Sequence, residues 1–174
     1  FVGQKWCSCE YTKDENGAEV AIRSIAGGTF ANDVTVYCAD GYLCEAIDDS
    51  TYGIVVDPNY IAEFTIDDAN PEDYTSDLAG MKVGKLTYKR TFIAGIWNPM
   101  FVPFEIDIDI LVNEFGLEVA SYNQMISSEQ ADGSFNYTME VKHRTSGKVS
   151  HYPLFVRTED SYELEYVAED VVLS

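Results

Sequence analysis

The chain has 174 residues, 46% of them apolar, which is enough for one medium domain or a domain with a small appendage and too much for a disordered segment. Acidic residues outnumber basic ones 30 to 11, and the net charge of −19 repels nucleic-acid backbones and anionic lipid surfaces. No apolar run is long enough for a membrane-spanning helix, so direct membrane insertion is not expected. Aromatics make up 13%, with 12 Tyr and 9 Phe, a bias toward strands.

All four cysteines, Cys7, Cys9, Cys38 and Cys44, fall in the first quarter of the chain. An even, clustered count suits disulfides in an oxidising compartment. Free thiols and a metal site remain as alternatives, although C-x-C and C-x5-C are not the usual zinc knuckle. Cys7 to Cys9 is the poorest disulfide pairing, because neighbours two apart on a strand sit too far apart to bridge comfortably. No basic leader precedes an apolar segment at Phe1, so export is neither indicated nor excluded on that ground.

In chain order, residues 1 to 24 read as a hairpin turning at Asn16-Gly17. The Lys-Asp-Glu-Asn-Gly tip lacks calcium-loop spacing. Val34, Val36 and Cys38 alternate as in a strand; Tyr42 to Ile47 and Tyr52 to Val56 complete a small meander over residues 1–57. Residues 58–84 read as a connector, with a short strand at Ile61, Phe64 and Ile66. Its Asp67, Asp68 and Asp73, with Asn70 and Glu72, supply hard oxygens that could suit calcium, although a solvated linker loop is the simpler and favoured account of them.

In Lys85 to Ala94, residues Leu86, Tyr88, Arg90 and Phe92 share one strand face, which predicts Arg90 half-buried against an acid. Glu105-Ile106-Asp107-Ile108-Asp109-Ile110 alternates perfectly and predicts a strand with its acids in water, begun anew after Pro103. Short helical pieces are conceivable within 106–116 or 70–80, but neither has a clear apolar stripe. Further strands are expected at Leu117 to Asn123, at Phe135 to Lys142 with Phe135, Tyr137, Met139 and Val141 on one apolar face, and at Val149 to Thr158 after a turn at Gly147. A last strand carries Tyr162, Leu164 and Tyr166. Together these predict an all-β chain in which a β-sandwich over residues 85–174, jelly-roll-like in style, follows the small meander.

Two segments carry a resemblance. The run Gly27-Gly28-Thr29-Phe30, Asp33-Val34, Tyr37, Ala39-Asp40-Gly41-Tyr42 and Thr51-Tyr52-Gly53-Ile54-Val55 resembles a segment of surface proteins from gut Bacteroidetes and Firmicutes. It departs from that segment at Cys38, Cys44 and Asp48-Asp49-Ser50. Thr87-Tyr88, Arg90-Thr91-Phe92, Trp97 and Phe101-Val102-Pro103-Phe104, with Gly147, Pro153 and Phe155-Val156, are similar to the signature of a C-terminal β-rich domain. That domain occurs on secreted or surface-anchored, adhesin-like Bacteroidetes proteins. The resemblance implies a secreted or cell-surface location, outer-membrane-anchored or extracellular, and brings no catalytic residues.

Chemistry is sparse. There are two histidines, His143 and His151, and no zinc-protease, nucleophile-elbow or phosphate-loop motif. Glu105, Asp107 and Asp109 are the carboxylates a glycoside hydrolase reading would use, against the simpler reading of a solvated face. Trp97, with Asn98 beside it, is placed to stack on a sugar ring or, alternatively, to plug one end of the sandwich. Asp49-Ser50-Thr51 resembles a Bacteroidetes O-glycosylation tripeptide, and a turn accounts for it as well. The resulting expectation is a non-catalytic protein that binds a glycan or an extracellular protein, with a structural cap or spacer as the alternative and a hydrolase as a third.

Overall fold

The computed structural model describes residues 11–70, 76–150 and 152–174. Fourteen strands stand against one six-residue α-helix among these residues, so the chain is all-β. It divides into two compact units, Phe1–Ala62 and Glu63–Ser174.

In the first unit, β1 (Tyr11–Lys13) and β2 (Glu19–Ala21) form the expected hairpin. Its turn closes between Asp14 and Ala18. Asp14 N–H donates to Ala18 O, and Gly17, at φ +80°, donates to Asp14 O. The Asp14 carboxylate accepts from the N–H groups of Asn16 and Ala18, so the aspartate and not Asn16-Gly17 alone sets the turn. β3 (Thr29–Phe30), β5 (Thr51–Val56) and β4 (Tyr42–Asp48) make a three-stranded sheet. Gly41 leads into β4 at φ +80°, and a Cβ there would sit 2.7 Å from the Tyr60 ring. The strand expected at Val34–Cys38 is instead a 3-10 turn at Thr35–Tyr37. The Asp33 carboxylate accepts from Thr35 N–H and Oγ at 2.8 and 2.6 Å, a local contact that competes with extension and leaves Val36 in water.

Within the expected connector, the short strand read at Ile61, Phe64 and Ile66 is β6 (Tyr60–Asp67). It lies beside β7 (Lys82–Phe92), which pairs along its full length with β14 (Tyr162–Val172). A four-stranded sheet runs in the order β11 (Phe135–Arg144), β10 (Glu118–Glu129), β13 (Leu154–Arg157), β8 (Asn98–Met100). The two sheets contribute the inner faces of a sandwich core: Leu86, Tyr88, Phe92, Leu164 and Tyr166 from one, Met100, Val119, Leu154 and Val156 from the other. Phe104 sits centrally, 5.9 Å from the Tyr88 ring edge-on and stacked on Tyr166 at 6.1 Å.

The alternating Glu105–Ile110 run is not one strand. β9 (Ile106–Asp107) pairs only with β12 (Lys148–Val149), and α1 (Ile108–Asn113) follows at once. Asp107 caps that helix by accepting from Asp109 N–H at 2.8 Å, and Ile106, Ile108 and Leu111 are all buried. Period two over so few residues does not exclude a helical start, because Ile108 and Leu111 also satisfy the i, i+3 rule. The second departure is larger. The polar run Ser127–Ser134 reads as a loop; Gln130–Ser134 is indeed the turn, but Ser127–Glu129 continue β10, which pairs with β11 out to Glu129↔Phe135. β13 covers β10 only from Glu118 to Ser121, so the outer part of this hairpin is a two-stranded arm.

Candidate functional site

The strand positions of β7 place Arg90 on the inner face, half-buried as expected. Its partner is Asp68, whose carboxylate also accepts from Tyr88 Oη at 2.7 Å. A second guanidinium nitrogen donates to Pro99 O, and the guanidinium carbon lies 5.6 Å from the Phe92 ring centroid, while Arg90 Nε is buried without a hydrogen-bond partner. Burial, reinforced by the Asp68 hydrogen bond and charge, holds the Tyr88 phenol neutral well beyond its usual range. Beside this cluster runs a groove of about 400 Å³ lined by Asp68, Asn70, Arg90, Met100, Phe101 and Pro153. One end holds the Arg90–Asp68 ion pair with Asn70, and the other is lined by Met100, Phe101 and Pro153, which suits contact better than proton transfer.

Asp67 and Asp68, read as calcium ligands, are each engaged by a local partner. The Asp67 carboxylate accepts from Ala69 N–H at 2.9 Å, and a guanidinium already occupies Asp68. No group of three acidic, His or Cys side chains fit to hold a metal occurs among the described residues, and Asp73 lies outside them. Asn98 is not available to a ligand either. It is 5% exposed; its Oδ1 accepts from Ile93 N–H, and its amide donates to Ile93 O, Ile96 O and Val156 O. Asn98 therefore pins the loop before β8 to the sheet. Trp97 is half-buried, packed edge-to-face on His143 at 5.6 Å, and His143 Nδ1 lies 3.3 Å from Glu118.

The carboxylates of the hydrolase reading each have a local job. Glu105 pairs with Lys148 at 2.8 Å and raises its pKa, Asp107 caps α1, and Asp109 accepts from Gly147 N–H at 3.1 Å. Cys38 and Cys44 are free thiols rather than a disulfide, and Cys7, Cys9 and His151 lie outside the described residues. Both sulfurs address Val34: Cys38 Sγ donates to its carbonyl at 3.6 Å, and its N–H donates to Cys44 Sγ at 3.5 Å. Burial pushes the Cys38 thiol pKa up.

The largest unexpected surface is the arm. Phe135, Tyr137, Met139 and Val141 share a face as the alternation predicts, and a bulge at Asn123 brings Tyr122 and Met125 onto the same face. This face is not core: Phe135 is 52% and Tyr137 68% exposed, with their rings 6.4 Å apart. The signal missing from the sequence is strand order, which decides whether an apolar face has a sheet opposite it.

No family model matches the chain, and neither does any curated protein or solved structure.

Proposed function

We infer that the chain is a non-catalytic, exported binding module, an adhesin-like protein that contacts an extracellular protein or glycan through its β10–β11 arm. The single observation that carries this reading is the unpartnered apolar face of that arm. An isolated two-stranded ribbon is marginal in water, and a contiguous exposed apolar patch marks a contact surface. Tyr122, Tyr137 and Phe135 supply rigid, amphipathic contact area of the kind that dominates interfaces. Nothing comparable supports a reaction, since the carboxylate of Asp68 is already engaged by the Arg90 guanidinium and the Tyr88 hydroxyl. The high negative charge suits solubility outside the cell. A structural spacer is the second reading, favoured by the commitment of Asn98, Asp107 and Asp109 to internal hydrogen bonds.

The test is retention of labelled protein on epithelial cells, immobilised matrix proteins and a glycan array, for wild type and for Phe135→Ser/Tyr137→Ser. Binding by wild type that the double variant loses supports the arm as the contact surface. Equal binding by both moves the contact elsewhere, and no retention by wild type on any surface leaves the spacer.

A further inference from the structure

β11 is the outermost strand of its sheet, ten residues long, with no proline and no bulge on its own side. Among the described residues its outer edge has no strand beside it and is a row of unpaired backbone groups, the template on which another strand adds. Glu140 and Lys142 lie two apart on β11 and so share the face opposite the apolar one. Gln124 donates to Glu140 at 2.7 Å, but Lys142 is exposed and makes no ion pair among the described residues.

We propose that the outer edge of β11 pairs antiparallel with β11 of a second copy of this chain, about a two-fold axis at Val141. That register places Glu140 opposite the partner's Lys142, and symmetry repeats the pair. It keeps the odd-numbered apolar positions of both copies on one side, so over Thr138 to Arg144 the two hairpins become one four-stranded ribbon with Met139 and Val141 of both copies on the same face. An axis at Glu140 sets two carboxylates against each other, an axis at Lys142 sets two ammonium groups together, and an axis at Met139 makes no ion pair. Between copies that each carry a charge of −19, an edge that matches acid with base locally is where association costs least. The proposal rests on the arm being a contact surface and adds which partner its edge takes.

The experiment is sedimentation velocity of the full chain across a concentration series, at low and high salt. Wild type is expected to dimerise. Lys142→Glu and Glu140→Lys, both surface changes, are each expected to shift it to monomer, and Glu140→Lys/Lys142→Glu to restore the dimer. Unchanged melting of the single variants shows that the fold is intact, and the restored double variant shows the same through assembly. A wild type that stays monomeric throughout, single variants as dimeric as wild type, or a double variant that does not recover overturns the proposal. A monomer that still binds cells through Phe135 and Tyr137 removes the dimer and leaves the proposed function standing; a dimer that binds no surface does the reverse.

Discussion

β7 and β11 carry the same signal in sequence and meet opposite fates. Leu86, Tyr88 and Phe92 alternate along β7 and are fully buried; Phe135, Tyr137 and Met139 alternate along β11 and face water. β7 lies between β6 and β14 with the second sheet's residues against its inner face, whereas among the described residues the outer β11 has only β10 beside it. Alternation specifies that a strand has an apolar face; the neighbours in the fold specify what covers it. Where the fold provides no cover, the face is left for a partner, and that contrast is the basis of the functional reading.

The contrast breaks first under truncation of aromatic side chains. Phe104→Ala empties the centre of the sandwich and is expected to cost about 3–5 kcal/mol in denaturant unfolding. Phe135→Ala, an equal truncation on the arm, is expected to stay within about 0.5 kcal/mol for the monomer. Near-equal losses would mean that the arm face is covered within the chain. Next in size is Asn98→Ala, which strands the main-chain groups of Ile93, Ile96 and Val156 and is expected to cost roughly 2–3 kcal/mol, read from the same unfolding curves.

Tyr88→Phe removes one hydrogen bond to the Asp68 carboxylate, and a loss of about 1–2 kcal/mol is expected in neutral buffer. The phenol also gives a pH dependence. Its folded-state pKa is raised, so the neutral form is favoured in the native protein. Its contribution is therefore complete below the ordinary phenol value of about 10 and is lost as pH rises through the folded-state value. Spectrophotometric titration is expected to show Tyr88 ionising only as the protein unfolds in alkali. The smallest effect is kinetic. Burial and a raised pKa slow Cys38, so Cys44 is expected to react first with an alkylating reagent in native protein, followed by mass spectrometry; equal rates would contradict the burial of Cys38.

Much of the fold is legible along the chain. The inner face of β7, the core role of Leu164 and Tyr166, the Asp48–Ser50 turn and the half-buried Arg90 all follow from local pattern. What escapes a sequence reading are decisions made by hydrogen bonds to single side chains. Asp33 turns Thr35–Tyr37 into a 3-10 segment, and Asp107 converts an alternating run into β9 and α1. Asp68 escapes in the same way, because the sequence offers its carboxylate to calcium as readily as to Arg90, and only the pairing of β6 with β7 brings the guanidinium there. Asn98 resembles a ligand donor until the loop folds back and its amide meets three carbonyls. The arm is hidden for a different reason: the position of β13 beside β10 is non-local, and the sequence near Gly147 suggests a simple hairpin return.

Hydrogen–deuterium exchange of the β11 amides, followed as protein concentration rises, is the most direct test of what covers the arm. Outward-facing amides between Thr138 and Arg144 are expected to gain protection with concentration, while those of β7 stay protected at every concentration. Exchange along β11 that does not depend on concentration would contradict the pairing of two copies along that edge, and protection there equal to β7 in dilute protein would contradict the arm as a surface that waits for a partner.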